Sequence, residues 1–359
     1  MVCYCVRDPT DGKDYVMKDC WVPEAKRYHE VAVLKQVHGI PNVVQLVDDW
    51  DVMYDGEPDC TARIRDRYQQ FDPDDRDDHR FCNRFHRQLV MTPCGEPLSH
   101  FSSRKELICA FCDFVVAHRL MVECGILHGD LSLNNFIIYE GNSYFIDFDY
   151  ARFIEEGKTS TISFGTGTIP YISMRVLKKM LRNAETVKKT ADATQLQQIE
   201  HYMCDDLESM FYIFFEFVTK YGGAHGIVAP TWDKLAMPWL EAYENLGASS
   251  LLTTFLSKKG AIYEGDFLMD RVSDYFSEFK PLVNEWRSQI HLTEIDTNAT
   301  IIHDHIFQML AMFIAKLEDS DEIPIPIPLP YPPPQSPTVQ PTAGPSTLPR
   351  TGTTWSSTS

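Results

Sequence analysis

Long apolar runs are absent from this sequence, and so are the usual signs of secretion. No run reaches the ~18 apolar residues that a membrane-spanning helix needs, and no charged-then-apolar leader follows Met1. Cys109 and Cys112 form a Cys-x-x-Cys pair, but no second pair accompanies it, as a structural zinc site would require. We therefore expect a cytoplasmic or nuclear protein without membrane contact, whose ten cysteines are reduced thiols.

Basic residues are also scarce. The 359 residues include 33 Lys and Arg against 51 Asp and Glu, so the formal net charge is -18. A surface of this sign repels the phosphate backbone of nucleic acid. We therefore expect no nucleic-acid partner, and a basic peptide or basic protein surface is the better candidate.

The first part of the chain shows strand and helix patterns. β-like runs at 2–6 and 15–18 flank the turn signal Asp8–Gly12, which predicts a hairpin. Apolar residues at helical spacing around Glu30, ended by Gly39-Ile40-Pro41, predict a helix. Further strands are expected within 43–54 and at 87–91.

Helical periodicity dominates the later part. A strong amphipathic helix is predicted from Glu106 to Cys124, and an almost wholly apolar, buried helix from about Asp206 to Tyr221. A second hairpin is predicted between them at 136–139 and 144–147, and more helix follows up to about Lys316.

Two segments differ from these patterns. Residues 55–86 are polar, rich in Asp and Arg and without period, so we expect an exposed insertion. Residues 324–349 hold eleven of the 22 prolines, so we expect 319–359 to be a disordered tail with polyproline II character. A plain linker is the simplest interpretation of this tail, and a rigid spacer or a ligand for proline-reading domains are the alternatives.

The sharpest chemical signal is the run His128-Gly129-Asp130-Leu131-Ser132-Leu133-Asn134-Asn135, directly after the amphipathic helix. It places an Asn five residues after an Asp, and a hairpin ending in Asp147 follows. Phosphoryl transfer needs one carboxylate to orient the attacking hydroxyl, and an amide and a second carboxylate to hold Mg²⁺. This pattern assigns Asp130 as the base and Asn135 and Asp147 as metal ligands.

Residues 3–318, and best 104–220, resemble the protein kinase family. The similarity is to the fungal-type protein kinases in particular, in which a serine, here Ser132, follows the catalytic Asp-Leu or Asp-Ile pair. The resemblance implies ATP and Mg²⁺ as cofactors and a bilobal α+β fold. It also implies a small antiparallel β N-lobe with one helix at 1–92, and a mainly helical C-lobe at 93–318.

The resemblance also implies further site residues. Lys18 is similar to the strand lysine that grips the ATP phosphates, and Glu30 to its ion-pair partner. Gly167 and Thr168 resemble the start of the loop that receives the substrate peptide. Structural roles under the catalytic loop are implied for His128, which packs there, and Asp206, which ties the loop down.

The sequence departs from the family pattern at several points. Gly12 is the only glycine before Lys18, so the first strand and the glycine-rich phosphate loop would lie before Met1. Gly129 replaces the Arg that reads activation-loop phosphate, and Ser132 stands where many kinases have a Lys that contacts the transferring phosphate. The remaining departures are Asp149 in place of Gly and Met174-Arg175 in place of Pro-Glu.

Three functions stay open at this point. The first is an active Ser/Thr-type protein kinase, and the second is a catalytically impaired pseudokinase that serves as a binding or scaffold module. The third is a small-molecule kinase of the aminoglycoside or choline type, because those enzymes also use His-Gly-Asp. The lost phosphate loop favours the second function. The segment Gly167–Ser173 and the Asp206 helix favour a peptide-type substrate, and so the first.

Overall fold

The computed structural model describes residues 1–69, 82–154, 160–162, 167–190, 199–233, 237, 239–240, 248–296 and 298–317. Met1–Ile323 form one compact α+β unit. The disordered tail expected at 319–359 lies outside the described residues.

An antiparallel sheet of four strands dominates the first part of the chain, in the order β1-β2-β6-β3. The predicted hairpin is confirmed as its first two strands. The elements are β1 (Val2–Arg7), β2 (Asp14–Pro23), α1 (His29–Gln36), β3 (Gln45–Asp51), β4 (Met53–Tyr54), β5 (Glu57–Pro58), α2 (Thr61–Gln69) and β6 (Arg84–Thr92).

Helix α1 packs one face into the core. Its buried residues are Glu30, Val31, Val33 and Leu34, which lie on one side of a helix because residues three and four apart are neighbours. The helix predicted around Glu30 is therefore confirmed, and its one buried charge faces β2.

The segment 55–86, predicted as an exposed insertion, contains regular secondary structure. It contains β5 and α2 near its start and the first residues of β6 at its end. Residues 70–81 lie outside the described part of the chain.

Strand β6 begins three residues before the predicted strand at 87–91, because Arg84, Phe85 and His86 also pair with β2. Every second residue of the strand is buried, and one of these is Arg87, only 2% exposed. Its guanidinium pairs with Asp49 and Asp51 on the neighbouring strand β3. A buried charge is tolerated when it is paired and hydrogen-bonded, so the strand continues through this position.

Helices and short strand pairs make up the later part. The elements are β7 (Glu96–Pro97), α3 (Arg104–Glu123), β8 (Ile126–Leu127), β9 (Phe136–Tyr139), β10 (Asn142–Phe145), β11 (Arg152–Phe153), β12 (Ser160–Ile162), α4 (Met174–Thr190), β13 (Ile199–His201), α5 (Met203–Lys220), α6 (Ala248–Tyr263), α7 (Gly265–Met269), α8 (Lys280–Ile295) and α9 (His303–Ile314). The second predicted hairpin is confirmed as β9 and β10.

Stacked and edge-on aromatic rings join the helices that flank the loop at residues 128–135. Phe111 of α3 lies 5.1 Å from Phe214 of α5, and Phe214 lies 5.5 Å from Trp286 of α8, measured between ring centroids. Buried aromatic pairs contribute about 0.5–1.5 kcal/mol beyond the area they bury. This packing sets α3, which leads into residues 128–135, against α5, whose first turn carries Asp206.

Within the described residues, no helix combines the length and the apolar content needed to cross a membrane. All ten cysteines are described, and all are free thiols.

Candidate active site

A buried ion pair connects the sheet to helix α1. Lys18 on β2 is 2% exposed, and its Nζ donates to Glu30 Oε1 and Oε2 at 2.7 and 2.9 Å. The two residues are 12 positions apart. The structure therefore brings together the lysine and the glutamate that the sequence places on different elements.

Two more carboxylates reach the same ammonium group. Lys18 Nζ lies 2.9 Å from Asp147 Oδ1 and 3.0 Å from Asp149 Oδ1. Phe148, between these two residues, is fully buried, and its backbone N–H donates to Glu30 Oε1 at 3.3 Å. Asp147 has a φ of 63°, a left-handed conformation that is uncommon outside glycine.

Sequence reasoning missed Asp149 as a member of this site. The sequence pattern marks Asp149 only as a replacement of glycine, yet the Asp149 carboxylate contacts Lys18. Carboxylate oxygens of Glu30, Asp147 and Asp149 lie within 4.8 Å of one another. The only signal was a second carboxylate two positions after Asp147, because residues 146–149 form no strand whose alternation would fix their side-chain directions.

The charges of this cluster shift one another's pKa values. Burial disfavours the ammonium of Lys18, but the attraction of Glu30, Asp147 and Asp149 outweighs it and raises the Lys18 pKa well above its usual range. Burial raises the pKa of Glu30 to about 8, against the opposing attraction of Lys18. Burial also opposes the charge of Asp149, but the attraction of Lys18 together with hydrogen bonds to Glu30 and Lys18 outweighs it and lowers the Asp149 pKa. The three carboxylates therefore share the single ammonium group of Lys18 as their cationic partner.

The catalytic-loop residues form a second cluster. Asp130 Oδ1 accepts hydrogen bonds from the backbone N–H of Thr168 at 2.9 Å and from its Oγ1 at 3.0 Å. Asn135 Nδ2 donates to the carbonyl oxygen of Asp130 at 3.1 Å, and Ser132 Oγ donates to Asn135 Oδ1. Asp130, Ser132, Asn135 and Thr168 are thus brought together, as the pattern of the loop suggested.

A backbone hydrogen bond links this loop to the strand end that carries Asp147. The N–H of Ile146 donates to the carbonyl oxygen of Asn135 at 3.0 Å. The two predicted metal-ligating residues therefore project from neighbouring backbone segments.

Asp206 ties the loop down from the first turn of α5. Its buried carboxylate accepts from the backbone N–H groups of His128 at 3.2 Å and Gly129 at 3.3 Å. It is also bonded to Nε2 of His118 at 3.0 Å and Nε2 of His201 at 2.8 Å. Burial opposes the negative charge, but these partners lower the pKa of Asp206 well below its usual range. His118 lies 88 positions from Asp206, whereas His201 precedes it by only five, at the end of the short strand β13 before α5.

His128 lies beneath the loop with no exposed surface. Its Nε2 donates to the carbonyl oxygen of Ile146 at 3.1 Å, and burial lowers its pKa. A buried neutral imidazole in this position packs the loop against the Asp147 strand.

Glycine is required at position 129 by the backbone and by its neighbours. Gly129 has a φ of 74°, and a Cβ there would lie 3.1 Å from Arg152 Nε and 3.1 Å from the Tyr150 carbonyl oxygen. The space of a side chain at 129 is taken by Arg152 from β11. The departure seen in the sequence at this position therefore has a local packing cause.

The segment Gly167–Ser173 is anchored to α5 by carboxylates. The hydroxyl of Tyr171 donates to Glu216 at 2.8 Å, and that of Ser173 to Asp205 at 2.6 Å. Arg175 Nε also donates to Asp205, at 3.1 Å. The unusual Met174-Arg175 pair therefore still supplies an ion pair to the helical part of the protein.

The chain matches a family of known proteins. Residues 1–218 match the family model described as fungal protein kinase, which is more than half of the chain. No curated protein matches the chain.

Proposed function

The chain belongs to the fungal protein kinase family, and we propose that it transfers the γ-phosphoryl group of ATP to a serine or threonine hydroxyl of a protein. The observation that carries this proposal is the convergence of Glu30 and Asp147 on Lys18. Asp147 is 129 positions away from that lysine, so the contact is a product of the fold. A buried lysine with a glutamate partner beside a partly exposed aspartate suits a site for metal-bound phosphates.

The fold supports the same proposal. The antiparallel sheet and α1 precede Thr92, and the long helices follow it, which agrees with a small N-lobe over a helical C-lobe. Nucleotide would bind between them, with Lys18 offsetting phosphate charge and Glu30 holding Lys18 in place.

The residues present fit a hard divalent cation. Mg²⁺ prefers oxygen ligands and uses one or two protein groups besides water and phosphate. Asp147 offers a carboxylate that is about one-third exposed, and Asn135 offers an amide oxygen on the adjoining segment. These two residues would hold Mg²⁺, which when bound offsets the negative charge of the phosphates.

Asp130 is placed to act on the acceptor. We assign Asp130 to accept the proton of the attacking hydroxyl while the hydroxyl oxygen forms its bond to the γ-phosphorus. The bond between this phosphorus and the bridging oxygen breaks, and ADP leaves with the electron pair. Ser132 carries no positive charge toward the transferred group and instead donates to Asn135.

The acceptor would be a protein, with basic sequence favoured around the acceptor hydroxyl. The net charge of -18 attracts such peptides. The Gly167–Ser173 segment beside Asp130 is the surface we assign to peptide binding.

Nucleotide binding is the first test. Thermal unfolding of the purified chain is followed with and without ATP and Mg²⁺, beside Lys18→Met and Lys13→Met. Lys13 is an exposed lysine in the β1–β2 turn, so it controls for loss of a lysine outside the site. Ligand at 100 times its Kd stabilises by about 2.7 kcal/mol, so we expect a magnesium-dependent shift that only Lys18→Met removes.

Phosphoryl transfer is the second test. With γ-labelled ATP and a Ser/Thr peptide library, we expect label on peptides that is lost in Asp130→Asn and Asp147→Asn. Nucleotide binding without transfer to any peptide would refute the protein-kinase activity. Absence of both would favour a binding or scaffold role for the fold.

A further inference from the structure

A buried lysine from a distant helix holds the far end of the Gly167–Ser173 segment. Lys258 on α6 has no exposed surface, and its Nζ donates to the carbonyl oxygen of Ile172 at 2.6 Å. The same ammonium group lies 3.5 Å from the ring centroid of Tyr212 on α5. Burying an ammonium group is costly unless it is hydrogen-bonded and paired. These contacts therefore restrain the backbone at Ile172.

A glutamate connects this lysine to the next residues of the chain. Burial lowers the pKa of Lys258 well below its usual range, and the attraction of Glu208 opposes that effect. Glu208 accepts from the backbone N–H of Met174 at 2.7 Å and from the Tyr212 hydroxyl at 2.8 Å. The backbone is thus held on both sides of Ser173.

The restraint at Ile172 reaches Asp130 through a short chain of contacts. A Cβ at Gly167 would lie 3.0 Å from Cγ1 of Ile172, so the Ile172 side chain packs directly on that glycine. Gly167 has a φ of 133°, a backbone conformation open essentially to glycine. Thr168 follows at once and donates twice to Asp130.

We propose that Lys258 is a positioning residue for the protein acceptor. By holding the carbonyl group of Ile172, it sets the Gly167–Ser173 segment so that Thr168 bonds Asp130 and an acceptor hydroxyl meets that carboxylate. This inference rests on the proposed function. Because Lys258 contacts the acceptor side and Lys18 the nucleotide side, the two roles separate in experiment.

The test compares Lys258→Met with Lys259→Met. Methionine keeps an unbranched chain and removes the ammonium group. Lys259 is the next residue of α6, is partly exposed and lies near Tyr263, so it is a matched control. We expect Lys258→Met to lower kcat/KM for an acceptor peptide about tenfold, as for loss of one buried hydrogen bond. The Kd for MgATP, measured by calorimetry, stays unchanged, and Lys259→Met alters neither quantity.

Hydrogen exchange gives a readout that does not depend on activity. In Lys258→Met, amides of 167–173 exchange faster, while those of the N-terminal sheet keep their rates. Should this variant not fold, Gly167→Ala is the second variant: its added Cβ would lie 3.0 Å from Ile172 Cγ1 and so displaces the residue whose carbonyl group Lys258 holds, and the same acceptor-selective loss is expected. Unchanged exchange in 167–173 and unchanged acceptor kcat/KM in a folded variant overturn the proposal. If the wild-type chain binds no MgATP, the proposed function fails, and exchange still decides the role of Lys258.

Discussion

Replacing Asp206 with asparagine tests the electrostatic anchor of the catalytic loop. Four N–H donors surround its buried carboxylate, two from the backbone of His128 and Gly129 and two from His118 and His201. Hydrogen bonds to a charged acceptor exceed neutral ones by about 1 kcal/mol each. Four such bonds give about 4 kcal/mol, within the range of about 3–5 kcal/mol for breaking a buried pair.

The stabilisation that Asp206 gives the folded state decreases as the pH falls. The folded pKa of Asp206 is depressed well below its usual range, so its ionised form favours the folded state. This stabilisation is present above the unfolded pKa of about 3.9 and is lost as the pH falls from there through the folded value. The difference between wild type and Asp206→Asn should therefore be largest near neutral pH and shrink in acid.

Urea unfolding followed by tryptophan fluorescence measures this difference at about pH 7 and about pH 3.5. Asp304→Asn is the control, because Asp304 pairs with Arg119 at 2.7 Å but its side chain is 71% exposed. That exposed pair should contribute less than about 1 kcal/mol. A loss below about 1 kcal/mol for Asp206→Asn, or an equal loss at both pH values, would refute the anchoring role.

Three further predictions follow from the site and its surroundings. Asp149→Asn should tighten MgATP binding about tenfold, because the carboxylate competes with phosphate for Lys18; calorimetry measures this, and weaker binding would instead make Asp149 a ligand of the nucleotide-bound metal. Gly129→Ala should lower the free energy of unfolding more than Gly12→Ala does. Both glycines have φ near 70°, where a side chain costs about 1 kcal/mol. Of the two, only Gly129 has neighbours within 4 Å of the added carbon. Equal losses in urea unfolding would contradict the packing argument. Arg87→Met should destabilise the sheet by about 1–3 kcal/mol in the same assay, because it removes the hydrogen bonds of a buried guanidinium to Asp49 and Asp51, although these half-buried carboxylates keep Lys35 and Arg27 as partners. A loss within about 0.5 kcal/mol would show that the contacts of Arg87 are dispensable.

Much of the fold was predictable because its signals are local. The hairpin of β1 and β2, the helix around Glu30 and the hairpin of β9 and β10 all follow from short-range alternation, helical spacing and turn residues. The strand was predicted at 87–91, but its first residues show where this reasoning fails. Arg84, Phe85 and His86 belong by composition to the polar segment 55–86, and only their pairing with β2 makes them part of the sheet.

The order and spacing of Lys18, Glu30, Asp130, Asn135 and Asp147 are properties of the sequence itself. Each lies in a short pattern whose residue types suit phosphoryl transfer, and that pattern is readable without coordinates. The tertiary structure alone decided which residues from distant parts of the chain support the site. The Ile172–Lys258 contact spans 86 positions and the His118–Asp206 contact 88. Contacts over such separations depend on how whole helices pack against one another, and neither local spacing nor composition specifies that packing.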